Sequence, residues 1–350
     1  MTSYYSTFIT GTQEIVRTAL KEKLKDTKVK LFLDGLVVYH CQGDLEKIKN
    51  LRFFNNSYLL LLLLKGKLTT QVLIRKTLRN PSLLSDIQTE NLKGVKNFRV
   101  VASQENQIVS IDKQLLGKIE TLLSKKLGLK VNRALPDVEI WFLTRSEGFG
   151  LVGLRITKTP NYEKTLHKGE LRPELAHIMC LLAELKPLDV VLDPFAGYGA
   201  IPMECIKAFS VRQVVASEKD KGVFKVLQVK MSQNKKKVVL GRWNALKLSS
   251  LTNNSMDKII TDPPWGFYDN RNIDLRKFYK RMFDEFIRVL KPNGLMIILT
   301  AQKELLGEII ASFSNLELLK RYDILVSGKK SAIYKIKLTA KLGTNQEVQG

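Results

Sequence analysis

The chain is poor in the residues that build covalently or metal-stapled scaffolds. Its 350 residues include three cysteines, Cys41, Cys180 and Cys205, and three histidines, His40, His167 and His177. An odd cysteine count with no CxxC spacing argues against a disulfide framework and a structural zinc site, and fits a reducing compartment. The histidines are too scattered to build a metal site, so no metal is expected. Long apolar runs are also missing. The longest, Tyr58 to Leu64, is far below the roughly 18–20 residues needed to span a bilayer, so a membrane partner is not expected. Its six consecutive leucines read as a strand or helix buried on both faces. The opening MTSYYSTFITGTQE lacks a basic segment followed by an apolar one, so no secretory signal is expected and the expected location is cytoplasmic. Acids are scarce as well: 34 Asp+Glu stand against 57 Lys+Arg, for a net charge of +23. With 44% hydrophobic residues this is a folding composition rather than a disordered one. The excess positive charge calls for an anionic partner, and nucleic acid fits better than a membrane face.

The charge is spread along the chain. Residues 1–160 carry 26 Lys+Arg and 14 Asp+Glu, and the remainder carries 31 and 20. Length suggests two domains of ordinary size, and the patterning changes near residue 160. Before it, alternating and amphipathic segments mix: Tyr5 to Thr10, Thr12 to Lys25, Lys28 to Leu33, Leu36 to His40 and Leu45 to Leu51. A second such run has Phe98 to Ala102, Val138 to Leu143 and Gly150 to Ile156 extended and Lys113 to Lys126 helical. This is an α+β pattern. From residue 174 the apolar strands Val190 to Leu192, Val214 to Ala216, Val238 to Leu240, Lys258 to Thr261 and Leu295 to Thr300 alternate with helical segments. Strands that are apolar throughout, joined by such crossovers, predict a parallel sheet buried on both faces. Leu316 to Leu325 and Ala332 to Leu338 then read as a closing antiparallel pair.

Two motifs carry chemistry. In Val191-Leu192-Asp193-Pro194-Phe195-Ala196-Gly197-Tyr198-Gly199-Ala200 an apolar strand enters a glycine-containing turn and then a helix, which exposes backbone to a ligand at the carboxyl edge of the sheet. Pro202 stands where a dinucleotide fingerprint needs its third glycine, and no GK[ST] follows, so NAD and a phosphate loop are disfavoured. An Asp at the strand end suits a cationic or amine-bearing ligand. Glu218 ends the next strand, where an acid accepts hydrogen bonds from a ribose diol. The second motif is Thr261-Asp262-Pro263-Pro264-Trp265-Gly266. Two prolines fix φ and remove two amide donors, leaving carbonyls as acceptors. A carboxylate, free carbonyls and an aromatic face form a receptor for a planar ring bearing an amino group.

Together these motifs resemble class I S-adenosylmethionine-dependent methyltransferases of the amino-methylating kind, a Rossmann-like α/β fold with a mostly parallel seven-stranded sheet. The resemblance implies that Asp193, Pro194, Ala196, Gly197 and Gly199 cradle the amino-acid end of S-adenosylmethionine and that Glu218 binds its ribose. Asn244 and Ala245 stand where the family has Asp-Ala beside the adenine, and Arg172, in Leu171-Arg172-Pro173-Glu174, matches a cofactor-pocket segment ahead of the glycine turn. Asp262 completes the cofactor set and heads the catalytic one, with Pro263, Pro264 and Trp265. In the first half, Asn97-Phe98-Arg99-Val100, the helix after Lys113 and Val131-Asn132-Arg133-Ala134-Leu135-Pro136-Asp137 resemble a THUMP domain preceded by a ferredoxin-like domain.

In series these features resemble the THUMP-containing tRNA guanine-N2 methyltransferases, with tRNA as the implied partner. The implied domains are ferredoxin-like, 1–65; THUMP, 66–157; linker, 158–170; methyltransferase, 171–340; and a flexible tail, 341–350. Some members of the family work with a small zinc-containing activator subunit. The implied reaction transfers a methyl group to the exocyclic N2 of a guanosine in tRNA, of the position 6 or position 10 type. A ribosomal RNA substrate, an adenine-N6 or cytosine-N4 target, and a non-catalytic RNA-binding protein on the same fold remain open alternatives at this point.

Overall fold

The computed structural model describes residues 2–42, 45–84, 92–157, 166–266, 274–326 and 328–339. Two compact units divide the chain: Met1–Phe8 with Leu20–Pro160, and Ile9–Ala19 with Asn161–Gly350. No described helix is long and apolar enough to cross a membrane.

The strands of the first unit are β1 (Thr2–Thr7), β2 (Lys28–Leu33), β3 (Leu36–Cys41), β4 (Asn56–Lys65), β5 (Asn97–Gln104), β6 (Gln107–Val109), β7 (Lys130–Val131), β8 (Val138–Arg145) and β9 (Phe149–Arg155). They form one sheet in the order β2-β3-β1-β4-β9-β8-β5-β6, with β7 beside β5. The helices interleaved in sequence are α1 (Gln13–Lys23), α2 (Leu45–Lys49), α3 (Thr70–Arg79) and α4 (Lys113–Leu127). The leucine run lies in β4, an interior strand between β1 and β9. Leu59 to Leu62 are buried, as an interior strand requires. Helix α4 is bounded by its own sequence. Asp112 accepts the Leu115 N–H at 2.9 Å, Gly128 takes the left-handed C-terminal position, and Leu115, Ile119 and Leu123 form the buried stripe. The sheet runs on across position 65: Leu64 and Lys65 pair with Gly150 and Phe149, so the two segments expected as ferredoxin-like and THUMP domains share one sheet. The expected linker falls largely, and the expected tail wholly, outside the described residues.

The second unit alternates strand and helix: α5 (Pro173–Leu182), β10 (Val190–Asp193), α6 (Ala200–Ala208), β11 (Gln213–Ser217), α7 (Lys221–Met231), β12 (Val238–Gly241), β13 (Met256–Thr261), α8 (Leu275–Val289), β14 (Leu290–Thr300), α9 (Lys303–Ala311), β15 (Leu316–Val326) and β16 (Lys329–Leu338). The sheet order is β12-β11-β10-β13-β14-β16-β15. The first five strands are parallel, and β16 pairs antiparallel with both β14 and β15. This is the expected mostly parallel seven-stranded sheet, a class I methyltransferase fold. Asp274 caps α8 by accepting the Lys277 N–H, and the helix buries Tyr279, Met282, Phe283, Phe286 and Val289 at helical spacing. These side chains join Leu192, Ile259, Met296 and Ile298 in the core. Strand order reverses between β10 and β13, and ligands in open α/β sheets bind at such a point, beyond the carboxyl strand ends.

Candidate active site

Both motifs from the sequence lie at that reversal. β10 ends in Asp193, and the chain turns through Pro194, Phe195, Ala196, Gly197, Tyr198 and Gly199 into α6. The Gly199 N–H donates to the Ala196 carbonyl at 2.7 Å, the Ala196 N–H to the Ser217 carbonyl at 2.9 Å, and the Ser217 hydroxyl to the Pro194 carbonyl at 3.1 Å. The turn is thereby tied to the end of β11. Gly197 and Gly199 both have positive φ, +51° and +84°, but they serve different ends. A β-carbon on Gly199 would stand 2.7 Å from Leu227 Cδ1 and Met231 Cε on α7, so that glycine permits close helix packing. A β-carbon on Gly197 would meet nothing within 4 Å, which leaves bare backbone accessible to a ligand.

Asp193 is buried. Its Oδ1 accepts from the Thr261 hydroxyl at 2.7 Å and the Phe195 N–H at 3.3 Å, while Oδ2 has no partner among the described residues. Burial pushes its pKa up to about 7; the Asp262 and Glu218 charges add to the rise, and the two donors oppose it. A buried carboxylate oxygen left unpaired is costly, and a cationic amine would satisfy it. Half-buried Glu218 accepts the Gly197 N–H at 3.2 Å and the Asp220 N–H at 2.7 Å. It is thus held against the glycine turn, leaving further lone pairs for a diol.

Ala245 is buried and Asn244 is exposed. The Asn244 side-chain oxygen accepts the Leu246 N–H at 3.1 Å, and its backbone carbonyl accepts the Lys247 N–H at 2.8 Å. That side-chain oxygen therefore serves a local turn, a role the substitution for Asp did not disclose. Arg172 is the exposed N-cap of α5, with Pro173 at the first helical position and no side-chain cap bond from Arg172. In this segment it is His167 whose ring stacks on Tyr198 of the glycine turn, centroids 4.0 Å apart. Glu170 pairs with Lys230 of α7 at 2.6 Å. The sequence reading did not give His167 a place at the site; only the fold brings it to the turn.

The Asp-Pro-Pro-Trp segment follows β13 directly, adjacent to Asp193 because β13 neighbours β10. Thr261 joins the two motifs, since it precedes Asp262 and donates to Asp193. Burial pushes the Asp262 carboxyl up to about 7 as well, opposed by the Trp265 indole N–H, which donates to Oδ1 at 2.8 Å. The expectation of free carbonyls needs correction. Tyr279 donates to the Pro264 carbonyl at 2.9 Å, and the Gln302 side-chain amide donates to the Trp265 carbonyl at 2.7 Å. Among the described residues no donor reaches the Pro263 carbonyl. The site therefore holds one unpaired acidic oxygen beside bare backbone and, on the next strand, a second carboxylate, the carbonyl of buried Pro263 and an indole.

The strand order and the two turns at its reversal give the second unit the class I, Rossmann-like architecture. Residues 160–330 match the UPF0020 family, described as an RMKL-like methyltransferase domain. The chain is 31% identical over 188 residues to a Bos taurus protein named U6 snRNA (guanine-N(2))-methyltransferase THUMPD2, an alignment covering 51% of this chain and 35% of that protein. It is 26% identical over 220 residues to the tRNA (guanine(6)-N2)-methyltransferase of Thermus thermophilus, covering 61% and 65%. The chain thus spans about a third to two thirds of the length of these relatives. Among solved structures, TrmN from Thermus thermophilus superposes with a TM-score of 0.78 at 21% identity, covering 97% of this chain and all of the other, which shows a shared fold.

Proposed function

We propose that this protein is an S-adenosylmethionine-dependent methyltransferase that modifies the exocyclic N2 of a guanosine in tRNA. The observation that carries the reading is the pairing made by Thr261. An orphaned buried oxygen of Asp193, suited to a cationic amine, is tied to a neighbouring strand end whose acceptors suit a neutral one. When bound, S-adenosylmethionine supplies an electrophilic methyl group. Asp193 fits its ammonium group, Gly197 its approach to backbone, and Glu218 its ribose hydroxyls.

The amine of guanine is a poor nucleophile because its lone pair is delocalised into the ring. Asp262 and the Pro263 carbonyl accept its N–H hydrogens, hold the nitrogen, and favour localisation of the lone pair on it. A carboxyl poised near 7 is also matched to taking the surplus proton as the nitrogen becomes cationic. Trp265 stacks on the base once it is out of its helix, a contact worth about 1–3 kcal/mol. The even spread of basic charge supports an RNA substrate, and the relatives' names support a guanine-N2 target. The test is methyl transfer from labelled cofactor to unmodified tRNA transcripts, with a U6 snRNA transcript assayed in parallel. Preferential labelling of tRNA supports the reading, and labelling of U6 RNA alone would move the substrate.

A further inference from the structure

The Pro263-Pro264 pair poses a mechanical problem. Neither residue has an N–H, so from Asp262 to Trp265 the backbone offers four carbonyls and only two amide donors. Such a segment is held chiefly by donors arriving from elsewhere in the chain. Two do so. The hydroxyl of fully buried Tyr279, on α8, donates to the Pro264 carbonyl at 2.9 Å; the Gln302 amide, just beyond β14, donates to the Trp265 carbonyl at 2.7 Å. Thr300, buried at the end of β14, links them: its hydroxyl accepts the Gln302 backbone N–H at 2.9 Å and lies 3.4 Å from the Tyr279 oxygen. With one hydrogen per hydroxyl, the bonds run in one direction, from the Gln302 N–H to Thr300, from Thr300 to Tyr279, and from Tyr279 to Pro264. Chains of this kind strengthen each member in a dry environment.

We propose that Tyr279 and Gln302 are positioning residues for methyl transfer. They pin the Pro264 and Trp265 carbonyls, which takes two competing acceptors out of play and holds the Asp262 carboxylate and the Pro263 carbonyl in place for an incoming amine. The brace also selects for the substrate group. A loop with all its carbonyls loose would offer several competing acceptor geometries, whereas the pinned loop offers fewer, among them the Asp262 carboxylate and Pro263 carbonyl that match the two hydrogens of a primary amine. This inference rests on the amine-methylating reading above.

The test compares Tyr279→Phe, Gln302→Glu and Asp262→Ala in the full chain, with kcat and KM for tRNA measured at saturating cofactor and Kd for S-adenosylmethionine measured by titration calorimetry. Tyr279→Phe keeps the ring in the core and deletes only the donor; Gln302→Glu keeps the length and replaces the donor by a carboxylate. A positioning role predicts that each lowers kcat about 10-fold or more while KM and cofactor Kd stay within twofold. It also predicts that the double variant loses less than the product of the single losses. Wild-type kcat in both single variants overturns the proposal, as does a kcat loss matched by an equal loss of cofactor affinity. If Tyr279→Phe fails to fold, Gln302→Glu decides alone. Asp262→Ala separates the two levels. Wild-type turnover there removes the functional reading and this inference with it, whereas an inactive Asp262→Ala beside fully active brace variants removes the inference alone.

Discussion

Replacing Trp265 by Phe separates two roles that the indole combines. Its N–H donates to Asp262 at 2.8 Å and opposes the burial that pushes that carboxyl up to about 7; its face is available for stacking. Phenylalanine keeps an aromatic face and loses the donor. A hydrogen bond to a charged group is worth about 1.5–3 kcal/mol, and one pKa unit is about 1.4 kcal/mol. Allowing for partial replacement by water at a half-exposed residue, loss of the donor moves Asp262 from about 7 to roughly 8. On the proposed mechanism the ionised carboxylate is the active form; a raised pKa means that it is protonated below that pH, so activity is lost as pH falls through it. The wild-type rate should therefore fall about tenfold per pH unit below 7 and level off above it. Trp265→Phe should be about fivefold slower at pH 7 and should recover to near the wild-type rate by about pH 9. The assay is single-turnover methyl transfer at saturating cofactor and RNA, from pH 5.5 to 9. A deficit of the same size at every pH would refute the argument, because it would assign the loss to stacking alone.

Asp193→Asn preserves an acceptor for Thr261 but removes the charge, so cofactor affinity should fall roughly 10- to 150-fold by calorimetry. Wild-type affinity should rise as pH increases toward about 7 and then flatten, and the variant should lack that dependence. Gly199→Ala forces a side chain into a left-handed residue and within 2.7 Å of Leu227 and Met231. It should cost about 2–4 kcal/mol of stability, visible as a lowered Tm, whereas Gly197→Ala keeps the left-handed strain (φ +51°) without the clash, so it should lower Tm less than Gly199→Ala and weaken cofactor binding. A chain of net charge +23 that binds RNA through phosphates should show a steep negative slope of log affinity against log salt; an affinity indifferent to salt would remove RNA from the account.

The parallel sheet was legible because its strands are apolar throughout and end in punctuated turns, and both site motifs are contiguous in sequence. Asp193, Glu218 and Asp262 could be read as exceptions in a basic chain. What escaped the reading was set by topology. Tyr279 and Gln302 reach the Asp-Pro-Pro-Trp segment from later elements, and as residues of an amphipathic helix and a strand exit they carry no mark of that contact. α3 went unread because Val72, Leu73 and Ile74 run consecutively rather than at helical intervals; tertiary packing sorts them, with Val72 exposed and Leu73 and Ile74 buried. α9 is short, and its Leu306, Ile309 and Ile310 gain meaning only from the core they join. The Asn244 turn was likewise invisible, since an asparagine side-chain oxygen serves a ligand or its own backbone equally well.

The most direct test of the central claim is nucleoside mass spectrometry of unmodified tRNA incubated with S-adenosylmethionine and either the wild-type chain or Asp262→Ala. The account predicts N2-methylguanosine with the wild type and none with the variant, whose cofactor affinity stays near normal. Methyl groups on another nucleoside, or undiminished N2-methylguanosine from Asp262→Ala, would contradict it.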